Sequence, residues 1–421
     1  MAAKRITWRR TNAAQGKTPI VTENKILRIA AIVVLLLAGV FAGTQLGKIA
    51  PLVEWYRNDL GFSLVLIGWL TSMIAIFVAL VALPAGWAIE LAGMRRSFVL
   101  ASMLLVAGGL ALAVLQAPTA ILLARMVEGV GYLVLVIAIP AIASAVALPS
   151  WRAPVLAAWG GFVPVGFAAA DFLAGWVLPA GPQIYLLSAT VIFAILAGIA
   201  AALLARVRDW REEKGSSSAT ATGDSFRATL SGPVILVAVA FGIYVVLSVG
   251  FFTFMPAFIA SGRSTILFSA GIVALLVPLG NFATSVLVRG RDGRFAAMLA
   301  AGGFGVTAAV AVPAFAADAA MLATAAIILL AVSGGVTASA LFASVPFIVP
   351  RAGSASVAIG LIAQTGGFAT VFGPPLAGHV IDDHAWTGFG WFMAAWAVIG
   401  IAILTPLLLP RRSEVARGKP L

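Results

Sequence analysis

Twelve stretches of this sequence are apolar for long enough to cross a lipid bilayer, and that recurrence limits the fold more than any other feature. They cover residues 27–47, 64–89, 98–115, 120–148, 155–177 and 184–204, then 234–260, 266–288, 295–313, 321–349, 357–380 and 388–409. A helix crosses the hydrocarbon core with about 20 predominantly apolar residues. With no water in the core to bond a free peptide group, only helices and closed barrels span it. The runs lack the period-two alternation of a barrel wall, so the expected structure is all-α with twelve transmembrane helices. Only 10% of the 421 residues are charged, where soluble domains carry about 25%, so a water-soluble globular domain is excluded. The basic segment 4–28 followed by the apolar run 29–43 mimics a secretory signal. The run continues almost to Lys48 and many more follow, which makes it an uncleaved first helix.

The net charge of +12 is a matter of topology. With the N-terminus inside, 23 of the 27 Lys and Arg fall on the inner side, three (Lys48, Arg57 and Arg263) on the outer side, and Arg125 alone within a span. Cytoplasmic loops carry the excess of Lys and Arg, so both termini are expected in the cytoplasm of a bacterial cell bounded by its inner membrane. That placement removes the case for nucleic acid as a partner. With no Cys and only His379 and His384, no metal site is expected.

The hydrophilic segment 206–232 starts with a charged run at Arg206 and turns into Gly215-Ser216-Ser217-Ser218, the composition of a solvated linker. It divides the chain into a cytoplasmic N-tail (1–26), a six-helix bundle (27–205), a cytoplasmic linker (206–232), a second six-helix bundle (233–409) and a cytoplasmic C-tail (410–421). A faint repeat fits this division. Ala170-Asp171-Phe172-Leu173-Ala174-Gly175-Trp176-Val177 in the fifth run matches Gly373-Pro374-Pro375-Leu376-Ala377-Gly378-His379-Val380 in the eleventh.

Between the second and third runs stands Gly86-Trp87-Ala88-Ile89-Glu90-Leu91-Ala92-Gly93-Met94-Arg95-Arg96. It resembles the loop signature G-x-x-x-[D/E]-x-x-G-x-[R/K]-[R/K] of the major facilitator superfamily. Arg125-Met126-Val127-Glu128-Gly129-Val130-Gly131 is similar to that superfamily's R-x-x-x-G-x-G motif of helix 4, with Glu128 where Gln is frequent. The resemblance implies two pseudo-symmetric six-helix halves that rock about a site at their interface. The Gly-Pro pattern of helix 5 in antiporters is missing, since Asp171 stands where the second half has Pro374. Within the superfamily the chain looks most like bacterial solute porters of the cyanate/nitroimidazole type. In the loop, Gly86 and Gly93 permit a tight turn and close helix contact. Glu90 can pair with Arg95 or Arg96 as a cytoplasmic gate latch; otherwise the arginines are positive-inside anchors.

Ionisable residues within a span cost roughly 2.5–3.5 kcal/mol on insertion scales and mark function by default. Three qualify: Arg125, Glu128 and Asp171. At 1.5 Å per residue, Arg125 and Asp171 share a depth of about 9 Å, with Glu128 one turn below Arg125 on the same face. An Arg125–Asp171 or Arg125–Glu128 pair lining the outer half of a cavity is expected, where proton and solute compete for a carboxylate. The plain alternative is a static ion pair inside the first bundle. Weaker candidates for solute contact are Gln45, Lys48, Tyr244, Asn281 and Gln364, which otherwise serve as interhelical hydrogen bonds, or as a snorkelling end in the case of Lys48. Phe251, Phe252 and Phe254 have the makings of a stacking box, or of ordinary packing.

No Walker A, His-Glu-x-x-His or Gly-x-Ser-x-Gly sequence is present, so neither ATP-driven pumping by this chain nor hydrolase chemistry is expected. There are no catalytic residues and no cofactor to assign; the proton gradient is the expected energy source. The expected function is secondary active transport of a small polar or anionic organic solute by a monomer in the lipid bilayer. Export of amphipathic compounds is the first alternative, and a transporter-like sensor that translocates nothing is the alternative of another class.

Overall fold

The computed structural model describes residues 20–148, 155, 158–159, 161–207, 227–261, 268–288, 291–351 and 355–409. Residues 1–19 of the proposed N-tail, the C-tail, the core of the linker and the segment around Arg152 lie outside the described residues, while residues 20–26, expected in the N-tail, are helical. Helices account for nearly all of the rest. They are α1 (Ile20–Gly47), α2 (three pieces, Leu64–Ser72, Met73–Ala75 and Ile76–Ala92), α3 (Met94–Val114), α4 (Pro118–Val146), α5 (Phe162–Val177) and α6 (Pro182–Arg206). The second set is α7 (Gly232–Ala260), α8 (Ala270–Leu287), α9 (Gly293–Ala316), α10 (Ala320–Ile348) and a continuous run Ala355–Leu408.

That last run of 54 residues is two crossings. A straight helix of its length would reach about 80 Å, against a hydrocarbon core of about 30 Å. It breaks at Ala385, whose φ of 55° and ψ of −166° make it the only non-glycine at positive φ among the described residues. Residues 355–384 form α11 and residues 386–408 form α12. The hydropathy pattern had placed this join a few residues either side of the break.

Two sequence expectations shift in detail. Instead of ending at the interface after Gly47, the chain continues through a short 3-10 turn, Ala50–Leu52, and a short helix, Val53–Asn58, both partly buried. Lys48 is therefore followed by chain that packs as far as Tyr56 and does not snorkel; its side chain has no exposure. The second crossing is not one regular helix: it tightens to 3-10 geometry at Met73–Ala75 and departs from helical angles at Val81. Between α2 and α3, Gly93 turns the chain at φ 89°, a conformation glycine adopts without the steric cost of a Cβ.

Helices α1–α6 pack as one bundle and α7–α12 as another. The face that holds the start of α1 and the end of α12 is called proximal here, and the opposite face distal. The halves meet along α2 against α11 and α5 against α8. A Cβ on Gly68 would lie 2.6 Å from the backbone of Pro374, and one on Gly378 would lie 2.4 Å from the Leu64 oxygen, so only glycine lets α2 and α11 touch this closely. The contact runs well down the membrane, to a hydrogen bond from Gln364 Nε2 to the Ala79 carbonyl. Phe167 of α5 meets Phe252 of α7 with ring centroids 5.4 Å apart, a further contact between the halves.

Candidate functional site

Arg125 and Glu128 sit one turn apart on α4, the spacing that brings two side chains to the same face of a helix. Arg125 Nη1 lies 2.5 Å from Glu128 Oε2. Glu128 Oε1 is 2.6 Å from Nζ of Lys48, which directly follows α1, and that ammonium also donates to Gln45 Oε1 at 2.7 Å. Arg125, Glu128, Lys48 and Gln45 all have zero solvent exposure.

The backbone around the cluster completes it. Arg125 Nε donates to the Leu70 carbonyl at 2.6 Å, Nη2 to the Thr71 carbonyl at 3.3 Å and Nη1 to the Gln45 carbonyl at 2.8 Å. Leu70 and Thr71 stand just before the 3-10 break in α2, so the irregular turn and the arginine that binds beside it belong to one feature. Gln45 Nε2 is held by the carbonyls of Phe41 and, across on α6, Ala189. Room for Glu128 is made by α3: a Cβ on Gly108 would stand 2.5 Å from Glu128 Cγ, and one on Gly109 3.2 Å from its Oε1. The Tyr56 hydroxyl, buried and without a hydrogen-bond partner, feels both the Arg125 and Glu128 charges.

Burying an ion costs several kcal/mol even after relaxation, and only excellent geometry with added hydrogen bonds offsets it. Here the hydrogen bonds are present but the charges do not cancel: two cations face one carboxylate. The cluster holds one formal positive charge more than it neutralises, inside a bundle enclosed on every side.

Asp171 is not part of it. Asp171 faces the other half, where its Oδ2 accepts from Gly271 N at 2.7 Å. Asn281 of α8 accepts at Oδ1 from Ser339 Oγ of α10 at 3.0 Å, and Gln364 binds Ala79, so both make interhelical hydrogen bonds. Gly86 and Glu90 of the loop motif lie outside the residues described to side-chain level; Arg95 and Arg96 are exposed at the start of α3. Tyr244 lines a cavity in the second half together with Ser248, Phe251, Phe252, Phe304, Thr307 and Thr337. About 20 Å³ of it is open to the centre of a water molecule, room for one or two waters. Phe251 and Phe252 thus form its aromatic wall, while Phe254 is core.

The cavity and the cluster are counterparts. With the serine caps Ser63 of α2 and Ser269 of α8 set in register, Arg125 and Glu128 fall on Ala331 and Gly334, and Thr71 falls on Val277; all three line the cavity. The first half fills with ions the place that the second half leaves open and lines with hydroxyls and rings. Sequence reasoning missed two residues here. Lys48 as partner of Glu128 was hidden by its place at the end of an apolar run, and Asp382, whose Oδ2 accepts from Leu64 N at 2.9 Å, by its place near a predicted span end.

The family model described as Major Facilitator Superfamily matches residues 35–370. Among solved structures, the chain is similar to a bacterial homologue of the human lysosomal transporter Spinster in an inward-facing, unoccupied conformation. The TM-score is 0.71 at 15% identity, covering 91% of this chain and 96% of that one. A point variant of the nucleoside transporter NupG is similar at a TM-score of 0.71 and 14% identity, covering 91% of this chain and 100% of that one. No curated protein sequence matches the chain.

Proposed function

Because the chain belongs to the major facilitator superfamily and is a secondary transporter of small molecules, we propose that it carries a small polar or anionic organic solute across a bacterial inner membrane, coupled to protons. The single observation behind this reading is the enclosed cluster with its uncompensated positive charge. Two states balance it: one with Lys48 as a neutral amine, and one with Lys48 protonated beside the carboxylate of a solute. In that cycle the proton sits on Lys48 Nζ when the anion is present and leaves when the anion leaves, so the two cross together. Glu128 and Arg125 hold the ammonium in place, and Gln45 orients it through its Oε1.

In this reading the halves are residues 27–205 and 233–409, the linker 206–232 and both tails face the cytoplasm, and the transporter works as a monomer. The preponderance of Lys and Arg on the proximal side supports the orientation. The loop 86–96 serves as the cytoplasmic gate, with Glu90 paired to Arg95 or Arg96. The second half, with its rings and hydroxyls and no buried charge at the matching place, would receive the uncharged part of the solute.

The test is a solute screen in proteoliposomes with and without an imposed pH gradient. A polar or carboxylated solute is expected to accumulate only with the gradient. Lys48→Met is expected to lose both accumulation and counterflow, and Glu128→Gln to lose accumulation. Accumulation that ignores the gradient, or that both variants keep in full, would remove proton coupling through this cluster. A second reading, export of amphipathic compounds, draws on the aromatic wall of Phe251, Phe252 and Phe304; it is preferred if only lipophilic cations move.

A further inference from the structure

We propose that Asp171 and Asp382 are a matched pair of locks that hold the two halves together at the distal face. Each is a carboxylate of one half bound to the first turn of a helix in the other. Asp171, near the distal end of α5, accepts from Gly271 N at the start of α8 at 2.7 Å. Asp382, near the distal end of α11, accepts from Leu64 N at the start of α2 at 2.9 Å. Since α5 and α11 are each the fifth helix of their half and α2 and α8 each the second, the two contacts join the same kinds of helix, although the carboxylates stand at different positions along them, Asp171 aligning with Pro374.

The first four N–H groups of a helix have no partner within it. In both helices a serine takes one of them: Ser63 Oγ accepts from Leu66 N and Ser269 Oγ from Ile272 N. Both serines follow a phenylalanine, Phe62 and Phe268, a repeat too short to notice until the contacts are known. The carboxylate from across the interface takes another N–H, where the positive end of the helix dipole favours an anion and the hydrogen bond is charge-assisted. Glycine stands at both joints, strictly required at Gly378 and giving a close fit at Gly271. A Cβ on Gly271 would stand 3.0 Å from Asp171 Oδ2 and 3.2 Å from the Ala168 carbonyl, and Gly378 admits the Leu64 carbonyl on the other side. The second lock has an additional cation, with Arg57 Nη2 3.8 Å from Asp382 Oδ1. Separating the halves at this face strips both carboxylates and both helix starts of their partners in one movement, so the pair sets how often the distal face opens. This rests on the alternating-access reading for its purpose, while the contact itself is testable without any solute.

The chain has no cysteine, so reporters need no prior substitution. Spin labels on Thr119→Cys and Ala319→Cys, both exposed and next to the distal starts of α4 and α10 in opposite halves, read the distance across that face in liposomes. Asp171→Ala and Asp382→Ala are each expected to raise the ratio of long to short distances about tenfold, and the double variant by about the product. Asp171→Asn with Asp382→Asn retains the shape and one acceptor oxygen without the charge, and gives a smaller rise in the same direction, readable even if the alanine pair fails to fold. Asp383→Ala, beside Asp382 but paired with His379 at 3.4 Å, leaves the distribution unchanged. A foldable double variant with the parent distribution overturns the proposal, and so does Asp383→Ala opening the face as far. If the face opens as expected but no solute is ever carried, the locks stand and the transport reading falls.

Discussion

Lys48 and Glu128, eighty residues apart in the chain, meet at 2.6 Å with neither side chain exposed to solvent. Their pair is one arm of a cluster whose other arm, Arg125, already neutralises the carboxylate on paper. The two arms therefore answer differently to mutation.

Glu128→Gln leaves Arg125, and Lys48 whenever it is protonated, buried without an anion. Breaking a buried ion pair from one side costs about 3–5 kcal/mol, so this variant is expected to unfold at a markedly lower temperature in lipid or detergent. Lys48→Met removes the group that carries the surplus charge when protonated and leaves the Arg125–Glu128 pair balanced. Its thermal midpoint is expected to equal or exceed that of the parent, and a loss as large as that of Glu128→Gln would contradict the charge count.

Gly108→Ala puts a methyl 2.5 Å from Glu128 Cγ and 2.8 Å from the Ala124 carbonyl. Overpacking of this kind costs about 1–3 kcal/mol, since backbone must move. Gly198→Ala and Gly302→Ala, where a Cβ meets nothing within 4 Å, are the controls and are expected to leave thermal stability unchanged or slightly raised.

Ala385 holds a backbone conformation that is essentially reserved for glycine and costs other residues about 1–3 kcal/mol. Ala385→Gly is expected to stabilise the chain, and Ala385→Val to destabilise it, in chemical or thermal unfolding. The same midpoint for both would mean that the turn between α11 and α12 is not strained.

Asn281 and Ser339 join α8 to α10 at 3.0 Å. Interhelical hydrogen bonds in membranes average about 0.6 kcal/mol in double-mutant cycles, since the separated helices find other partners. A cycle of Asn281→Ala with Ser339→Ala is expected to give a coupling of that size. A coupling several times larger would point to a role beyond packing.

Much of this was legible without coordinates. Polarity alone left Asn281 and Gln364 open between solute contact and interhelical bonding, whereas Arg125 with Glu128 was legible from spacing on one helix, because a three-residue step fixes both depth and direction. Arg125 and Asp171 share only depth. The rotation of α5 about its axis, set by its packing on α1 and α8, turns Asp171 toward the opposite half, and no count along the chain contains that angle.

The division between the two sources follows from the physics of the bilayer. A crossing must be apolar and must satisfy its own backbone, so the number of spans and the family motifs are local properties written into the sequence. Partners across helices depend on where a chain goes after it leaves a span. Lys48 was fated for the interface by sequence and is buried because Gln45 and Glu128 take its ammonium inside the first bundle. Only the packed bundle could place a second cation beside Glu128, leave the matching place in the other half empty, and set Asp171 and Asp382 on helix starts that lie a hundred or more residues away.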